Sequence, residues 1–309
     1  MTEGEPRLDF RDMTEADLAD GLRLSRASGW NQTLADWRVL LSLGPGLFRV
    51  GRLDGRVVAS GGAVRYGDAL AWICMILVDP EQRGHGLGTR IFDEVLVRCE
   101  AEVRAGRLRC VGLDATPAGR GIYAQRGFVD GGALVRMRAE PAAAERKGSE
   151  PKGSGLELCP VRESTIQDLT PAVRPLAAGH LEGVLARDRE VFGADRGAVL
   201  RWAYASAPDL AWATPGGAYC FGRHGDHSDH VGPVIAEDRE RALAVVRACL
   251  SLPRDRPLVI DARVEPRWLA TLGELGFREQ RPFTRMNLGE TRPAGEPERE
   301  LAVFGPEFG

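Results

Sequence analysis

Apolar positions along residues 1–139 change period several times, and each change predicts an element. A strand is expected near 7–12, then helices near 15–27 and 33–43, where Trp37 stands three residues from Leu34 and Leu40 on one helical face. Strand patterns follow near 46–53 and 56–66, joined by Asp54-Gly55, a dipeptide suited to a hairpin turn. A further strand is expected at 70–78. Ile91, Val95, Leu96 and Val103 then share one face of a helix running to about 105. A strand at 108–114, a short helix at 118–126 and a final hairpin at 128–138 complete the unit. This mixed order predicts an α+β sheet with helices on both faces.

Residues 140–155 hold Pro, Ala, Glu, Lys, Gly and Ser with almost nothing to bury, which is linker composition. The segments on either side repeat one another. Arg11-Asp12-Met13-Thr14-Glu15-Ala16-Asp17-Leu18 recurs as Arg162-Glu163-Ser164-Thr165-Ile166-Gln167-Asp168-Leu169, each with a Thr placed to cap a helix. Gly127-Phe128 leads to Arg136-Met137 as Gly276-Phe277 leads to Arg285-Met286. Two copies of one unit are therefore expected, at 1–139 and 156–290, with 291–309 as a C-terminal tail.

The length of 309 residues suits two domains, and 43% hydrophobic with 28% charged residues describes a soluble globular chain. A net charge of -3 argues against a nucleic-acid partner. No apolar run approaches the ~20 residues of a membrane span, and the acidic start lacks a signal-peptide pattern, so a cytoplasmic protein is expected. The six cysteines form no Cys-x-x-Cys pair and read as small buried residues of a reducing compartment.

The densest chemical signal follows the strand at 70–78. Val78-Asp79-Pro80 ends it, Gly84, Gly86 and Gly88 alternate with other residues, and a helix begins at once. Such glycines turn the chain tightly and leave backbone N–H groups uncovered at a helix N-terminus, an anion site suited to pyrophosphate. Gly88-Thr89-Arg90 has no lysine, which excludes a P-loop. The even glycine spacing and the strands before it do not fit a dinucleotide fold.

Arg83, Gly86 and Gly88 resemble the acetyl-CoA signature of the GNAT acetyltransferases, Arg/Gln-x-x-Gly-x-Gly/Ala. Thr116, Gly119, Tyr123 and Gly127-Phe128 are similar to a second block of that family, with Thr116 at its usual Asn and Gly119 at its Ala. The resemblance implies two tandem GNAT-like domains, each a mixed, mostly antiparallel sheet flanked by helices. It implies acetyl-CoA as co-substrate, no metal, and acetyl transfer to an amine by direct attack in a ternary complex. Backbone amides of Ile76, Leu77 and Val78 would hold the pantetheine arm and polarise the thioester. Arg83, Gly84, His85, Gly86, Leu87, Gly88 and Thr89 would hold the phosphates, with Thr116 beside the cofactor. Tyr123 would protonate the CoA thiolate, the alternative being a ring packed under the sheet.

Trp30, Trp72 and Asp68 are the candidate substrate contacts. No carboxylate stands between Leu70 and Val78, so the general base stays open among Asp68, ordered water and a residue of the second copy. The acceptor is a small-molecule or protein amine, and the chain a monomer or homodimer. The second copy has lost the chemistry: Val234-Ile235-Ala236-Glu237-Asp238-Arg239-Glu240-Arg241 has acids in place of glycines, and Leu272 stands where Tyr123 would be. Arg223-His224-Gly225-Asp226-His227-Ser228-Asp229-His230 reads as a hairpin turn, a loop facing the acceptor site, or a zinc cluster. A non-catalytic acyl-CoA-binding regulator is the competing functional class.

Overall fold

The computed structural model describes residues 7–141, 172–289 and 295–309. Most of the expected linker and the repeat at 162–169 lie outside the described residues. The first half runs β1 (Leu8–Asp12), α1 (Leu18–Ala27), α2 (Leu34–Leu43), β2 (Arg49–Leu53), β3 (Arg56–Tyr66), β4 (Leu70–Val78), α3 (Leu87–Arg104), β5 (Cys110–Ala115), α4 (Pro117–Ala124) and β6 (Val129–Ala139). The second half runs β7 (Arg174–Pro175), α5 (Leu181–Phe192), α6 (Gly197–Ser206), β8 (Trp212–Ala213), β9 (Tyr219–His224), β10 (Asp229–Ile235), α7 (Arg239–Leu250), β11 (Leu258–Arg263), α8 (Pro266–Glu274), β12 (Arg278–Gly289) and β13 (Glu300–Val303).

Local chemistry explains several boundaries. Asp54 and Gly55 both take positive φ (50° and 85°), the conformation of a tight two-residue hairpin. Helix α2 starts at Thr33 because Asp36 accepts the Thr33 N–H at 2.6 Å while Thr33 Oγ1 accepts the Asp36 N–H.

Among the described residues the strands form one sheet in the order β1-β2-β3-β4-β5-β12-β6-β11-β13-β10-β9-β8-β7. Helices α3 and α4 put Phe92, Val95, Cys99 and Tyr123 against the first half in one core. A second core joins Trp37 and Leu40 of α2 to Phe192, Val199 and Leu200 of α5 and α6, so the two halves share it.

Two expectations are corrected. The stretch expected as a hairpin at 128–138 is one continuous strand, β6, because its pairing partners come from the other half. Strand β12 of the second half lies between β5 and β6, and β6 lies between β12 and β11. Each half thus lends its last long strand to the other. Buried ion pairs lock both insertions. Arg136 on β6 meets Asp261 on β11 at 2.8 and 2.7 Å, and Arg285 on β12 meets Asp114 on β5 at 2.9 and 2.8 Å. The expected tail is also structured. Its residues 300–303 form β13 inside the sheet, and Phe304 and Phe308 are fully buried, since these apolar side chains gain more from the shared core than from solvent.

The exchange makes each half an incomplete sheet. A fragment of residues 1–141 expressed alone is expected to aggregate or stay unfolded, and co-expression with 142–309 is expected to yield a soluble complex. Size-exclusion chromatography and circular dichroism check this, and a soluble, cooperatively melting 1–141 monomer would contradict it. In the full chain, Arg285→Met should cost about 3–5 kcal/mol, because it leaves Asp114 charged and buried without its partner.

Candidate active site

Strands β4 and β5 run parallel only at Leu70–Trp72 with Cys110–Gly112 and then separate. The register of β4 against β3 slips between Ser60 and Gly62, and Met75 takes a positive φ of 56°. This bulge turns residues 73–76 into the opening fork. Beyond it lies an open cavity, lined among others by Ile73, Cys74, Met75 and Ile76 on one side and by Thr116 and Tyr123 on the other.

Tyr123 projects from α4, half-buried, with its ring centroid 4.7 Å from that of Phe92. A Cβ on Gly119 would come within 3.1 Å of its hydroxyl, so the glycine leaves room for the phenol. No hydrogen bond from that hydroxyl to another described residue is observed. Desolvation pushes its pKa up to about 12, which keeps the phenol protonated at neutral pH. Thr116 caps α4, accepting the Gly119 N–H at 3.3 Å. Burial likewise holds the Cys74 thiol well above its usual pKa, so it stays protonated and a poor nucleophile.

At the outer end of the fork, Asp79 is buried and fixed by Arg23 at 2.7 Å and Arg56 at 3.0 Å. The chain then turns through Gly84 and Gly86, with φ of 83° and 75°, and Gly86 is the residue that starts α3. No side chain caps this helix, so its first N–H groups remain open to an anion. Arg83, Gly84, His85 and Gly86 are exposed, Leu87 is buried, and Gly88 and Thr89 are half-buried in the first turn. Arg83 is held over the loop by Val78 O (3.3 Å) and Ser28 Oγ (3.1 Å). Leu77 and Val78 pair with Ser60 and Ala59 of β3.

The candidate substrate contacts separate. Trp30 is half-buried and lines the cavity. Trp72 does not: it is fully buried, donates Nε1–H to Pro306 O at 2.8 Å, and lies 4.6 Å under the Arg285 guanidinium. Asp68 is exposed in the β3–β4 turn, eight residues from Ile76 along the chain and outside the cavity. Trp72 is a packing position and Asp68 an exposed turn residue, and neither lines the cavity, because the fork opens only after Trp72.

Sequence reasoning missed the rest of the lining: Gln32, Leu113, Asp114, Arg136, Arg281, Phe283, Pro306 and Glu307. Glu307 is buried and accepts from Gln32 Nε2 at 2.8 Å and from Arg223. Gln32 borders Trp30 in sequence, and the repeated Gly-Phe to Arg spacing already marked Arg136. Nothing local signals Arg281 or Glu307, which reach the first half through strand exchange and through the segment after β13.

The second half has the same fork in another state. Strands β10 and β11 pair in parallel at Asp229–Val231 with Leu258–Ile260, and β13 then fills the gap between them. Helix α7 is capped by its own Asp238, which accepts the Arg241 N–H at 2.9 Å. Glu237, Glu240, Glu265 and Glu298 surround that end. The histidine run forms the β9–β10 turn, and it packs on the first half through Asn31, whose Oδ1 accepts the His227 and Ser228 N–H groups at 3.0 Å. Among the described residues no cluster of three His, Cys, Asp or Glu is placed to hold a metal ion. No described helix is long and apolar enough to cross a membrane.

Two family models match. Residues 12–128 match the acetyltransferase (GNAT) family, and residues 184–303 match an acetyltransferase (GNAT) domain. A holothin acyltransferase of Pseudoalteromonas is 23% identical over 291 residues, covering 92% of this chain and 88% of that one. A putative acetyltransferase from Pyrococcus horikoshii superposes with a TM-score of 0.72 at 18% identity, covering 98% and 96% of the two chains. A tandem GNAT protein from the clavulanic acid biosynthesis pathway superposes at 0.54 with 14% identity, covering 92% and 100%. The chain belongs to the GNAT acetyltransferase family, as an acyltransferase with two GNAT domains in tandem.

Proposed function

We propose that the first half binds acetyl-CoA and transfers its acetyl group to an amine, and that the second half completes the acceptor site without binding acyl-CoA. The observation that carries this reading is the open β4–β5 fork, with uncapped helix N–H groups at its mouth and an unengaged phenol at its inner end. In the second half β13 occupies that fork and acids surround the helix start.

The pyrophosphate sits on the N–H groups of the Gly84–Thr89 turn, and Arg83 adds its charge. The pantetheine arm lies along residues 76–78, where strand edge amides hold it and polarise the thioester carbonyl. A neutral amine attacks that carbonyl, the C–N bond forms and the C–S bond breaks; Tyr123 gives its proton to the departing sulfur, and the proton lost by the acylated nitrogen returns through water to the phenolate. A protonated Cys74 thiol beside the same cavity offers no acyl relay. Glu307, held ionised by Arg223, attracts the incoming ammonium, and Trp30 covers the acceptor's apolar part.

Gly86→Glu should lower acetyl-CoA affinity about 100-fold or more, because a side chain strains the positive φ and puts a carboxylate on the anion site. Isothermal calorimetry measures it, and wild-type affinity would contradict the placement. Tyr123→Phe should lower turnover on the order of 10²-fold with little change in acetyl-CoA affinity. Steady-state thiol release reads this, and an unchanged rate would remove Tyr123 from the chemistry. Tight acetyl-CoA binding with no transfer to any amine would instead favour a regulator that senses acyl-CoA.

A further inference from the structure

Of the four charged side chains that line the cavity, three have partners. Asp114 is paired with Arg285, Arg136 with Asp261, and Glu307 with Arg223. Arg281 forms no hydrogen bond or ion pair with a described residue; its guanidinium lies 5.1 Å from the Phe283 ring centroid, and its buried Nε has no acceptor. Desolvation and the neighbouring Arg136 charge hold its pKa below the ordinary arginine value, although Asp261 and Glu307 act on it through space without contacting it. Arg223, meanwhile, serves two carboxylates, Asp36 and Glu307. The wall therefore carries one guanidinium with no carboxylate in contact, at Arg281, and one carboxylate, Glu307, that shares its guanidinium partner with Asp36.

Strand geometry sets the spacing. Thr284 of β12 is opposite Ala115, the last residue of β5, and Arg281 is opposite Arg136. Arg281 thus lies three residues beyond the end of β5, about 10 Å along the strand at ~3.3 Å per residue. Phe283, on the same face of β12, lies between the two positions. A small acceptor entering opposite the CoA turn meets both charges.

We infer that the acceptor is an amine that also carries an oxyanion, a carboxylate or a group of similar fork geometry, and that Arg281 binds that group. The inference rests on the acetyl-transfer reading of the cavity. A guanidinium offers two parallel N–H donors to a carboxylate or phosphate, and inside a desolvated wall such a contact exceeds its value in water. Glu307 faces the ammonium end, so a zwitterion balances both charges at once.

The test uses the full-length protein, acetyl-CoA and paired amines: amino acids with their carboxamides, and aminoalkyl phosphates with the corresponding amino alcohols. Released CoA thiol gives kcat/KM for each. The anionic member of at least one class should exceed its neutral partner roughly tenfold or more. The two classes tell a carboxylate from a phosphate. Arg281→Gln should bring that ratio near one by raising the acceptor KM, with the KM of acetyl-CoA as in wild type, and Arg281→Lys should restore part of it. Thermal melting confirms that the variants are folded. Calorimetric titration of the CoA-bound protein with the N-acetylated products of the same pairs gives a second readout that needs no turnover. Equal use of neutral and anionic partners, an Arg281→Gln effect on acetyl-CoA instead of the acceptor, or neither turnover nor product binding for any anionic compound would each overturn the inference. Acetyl-CoA binding in that last case leaves the acyl-CoA reading standing.

Discussion

The exchange of β6 and β12 is the constraint on which the rest of the molecule depends. A strand at a sheet edge needs a partner for its N–H and C=O groups, and here each half takes that partner from the other. Two guanidinium–carboxylate pairs cross the exchange at equivalent places, Arg136 with Asp261 and Arg285 with Asp114. Such buried pairs add little net stability over apolar residues of similar size, but breaking either partner is costly. Their effect is on register. Sliding β12 by one residue would put Arg285 on the wrong face and strand two charges in the core. The halves are consequently placed with the accuracy of a sheet, finer than a linker allows.

That placement brings the closed fork of the second half against the cavity of the first. The fork between β10 and β11 is closed by β13, and Glu300 at the start of β13 draws Arg196, Arg263 and Arg285 around it. The chain leaving β13 then crosses into the first half. Pro306 O accepts from Trp72, Phe308 O accepts from Tyr66 at 2.5 Å, and Glu307 between them points into the cavity. An open second fork would leave this segment without its anchor. Closure of the second fork and completion of the first half's cavity wall are one structural event.

The elements of the first half were legible because each was signalled locally: the Asp54-Gly55 turn, the Thr33 cap, the one-sided α3 and the glycines at Gly84 and Gly86. The α4 side of the cavity was legible for the same reason, since Thr116 and Tyr123 are seven residues apart on one cap and helix. The opposite wall was not. Glu307 and Arg281 lie far from Trp30 in sequence and meet it only through the sheet. The hairpin expected at 128–138 failed because periodicity reports a strand and its faces, while the identity of its neighbour is set by global topology. Trp72 failed for a nearby reason: an aromatic side chain just before the fork is core, and the opening residue is fixed by a bulge at Met75 that no residue type announces.

One dielectric environment assigns the remaining roles. Low polarity around the fork disfavours every ionised form that lacks a partner, so Tyr123 and Cys74 both retain their protons. Retention makes the phenol a proton donor and makes the thiol inert, opposite uses of the same effect. Glu307 stays charged in the wall because the Arg223 guanidinium holds it, and Asp114 is paired with Arg285. Against that background of compensated charge, Arg281 is conspicuous. It lies over Phe283 on a strand held between β5 and β6, with Arg136 at the opposite position on β6. No carboxylate of the described residues contacts that cation, and an entering anion would supply one. In the acetyl-transfer reading proposed above, the acceptor site is selective by an incomplete ion pair, built on a strand of the second half.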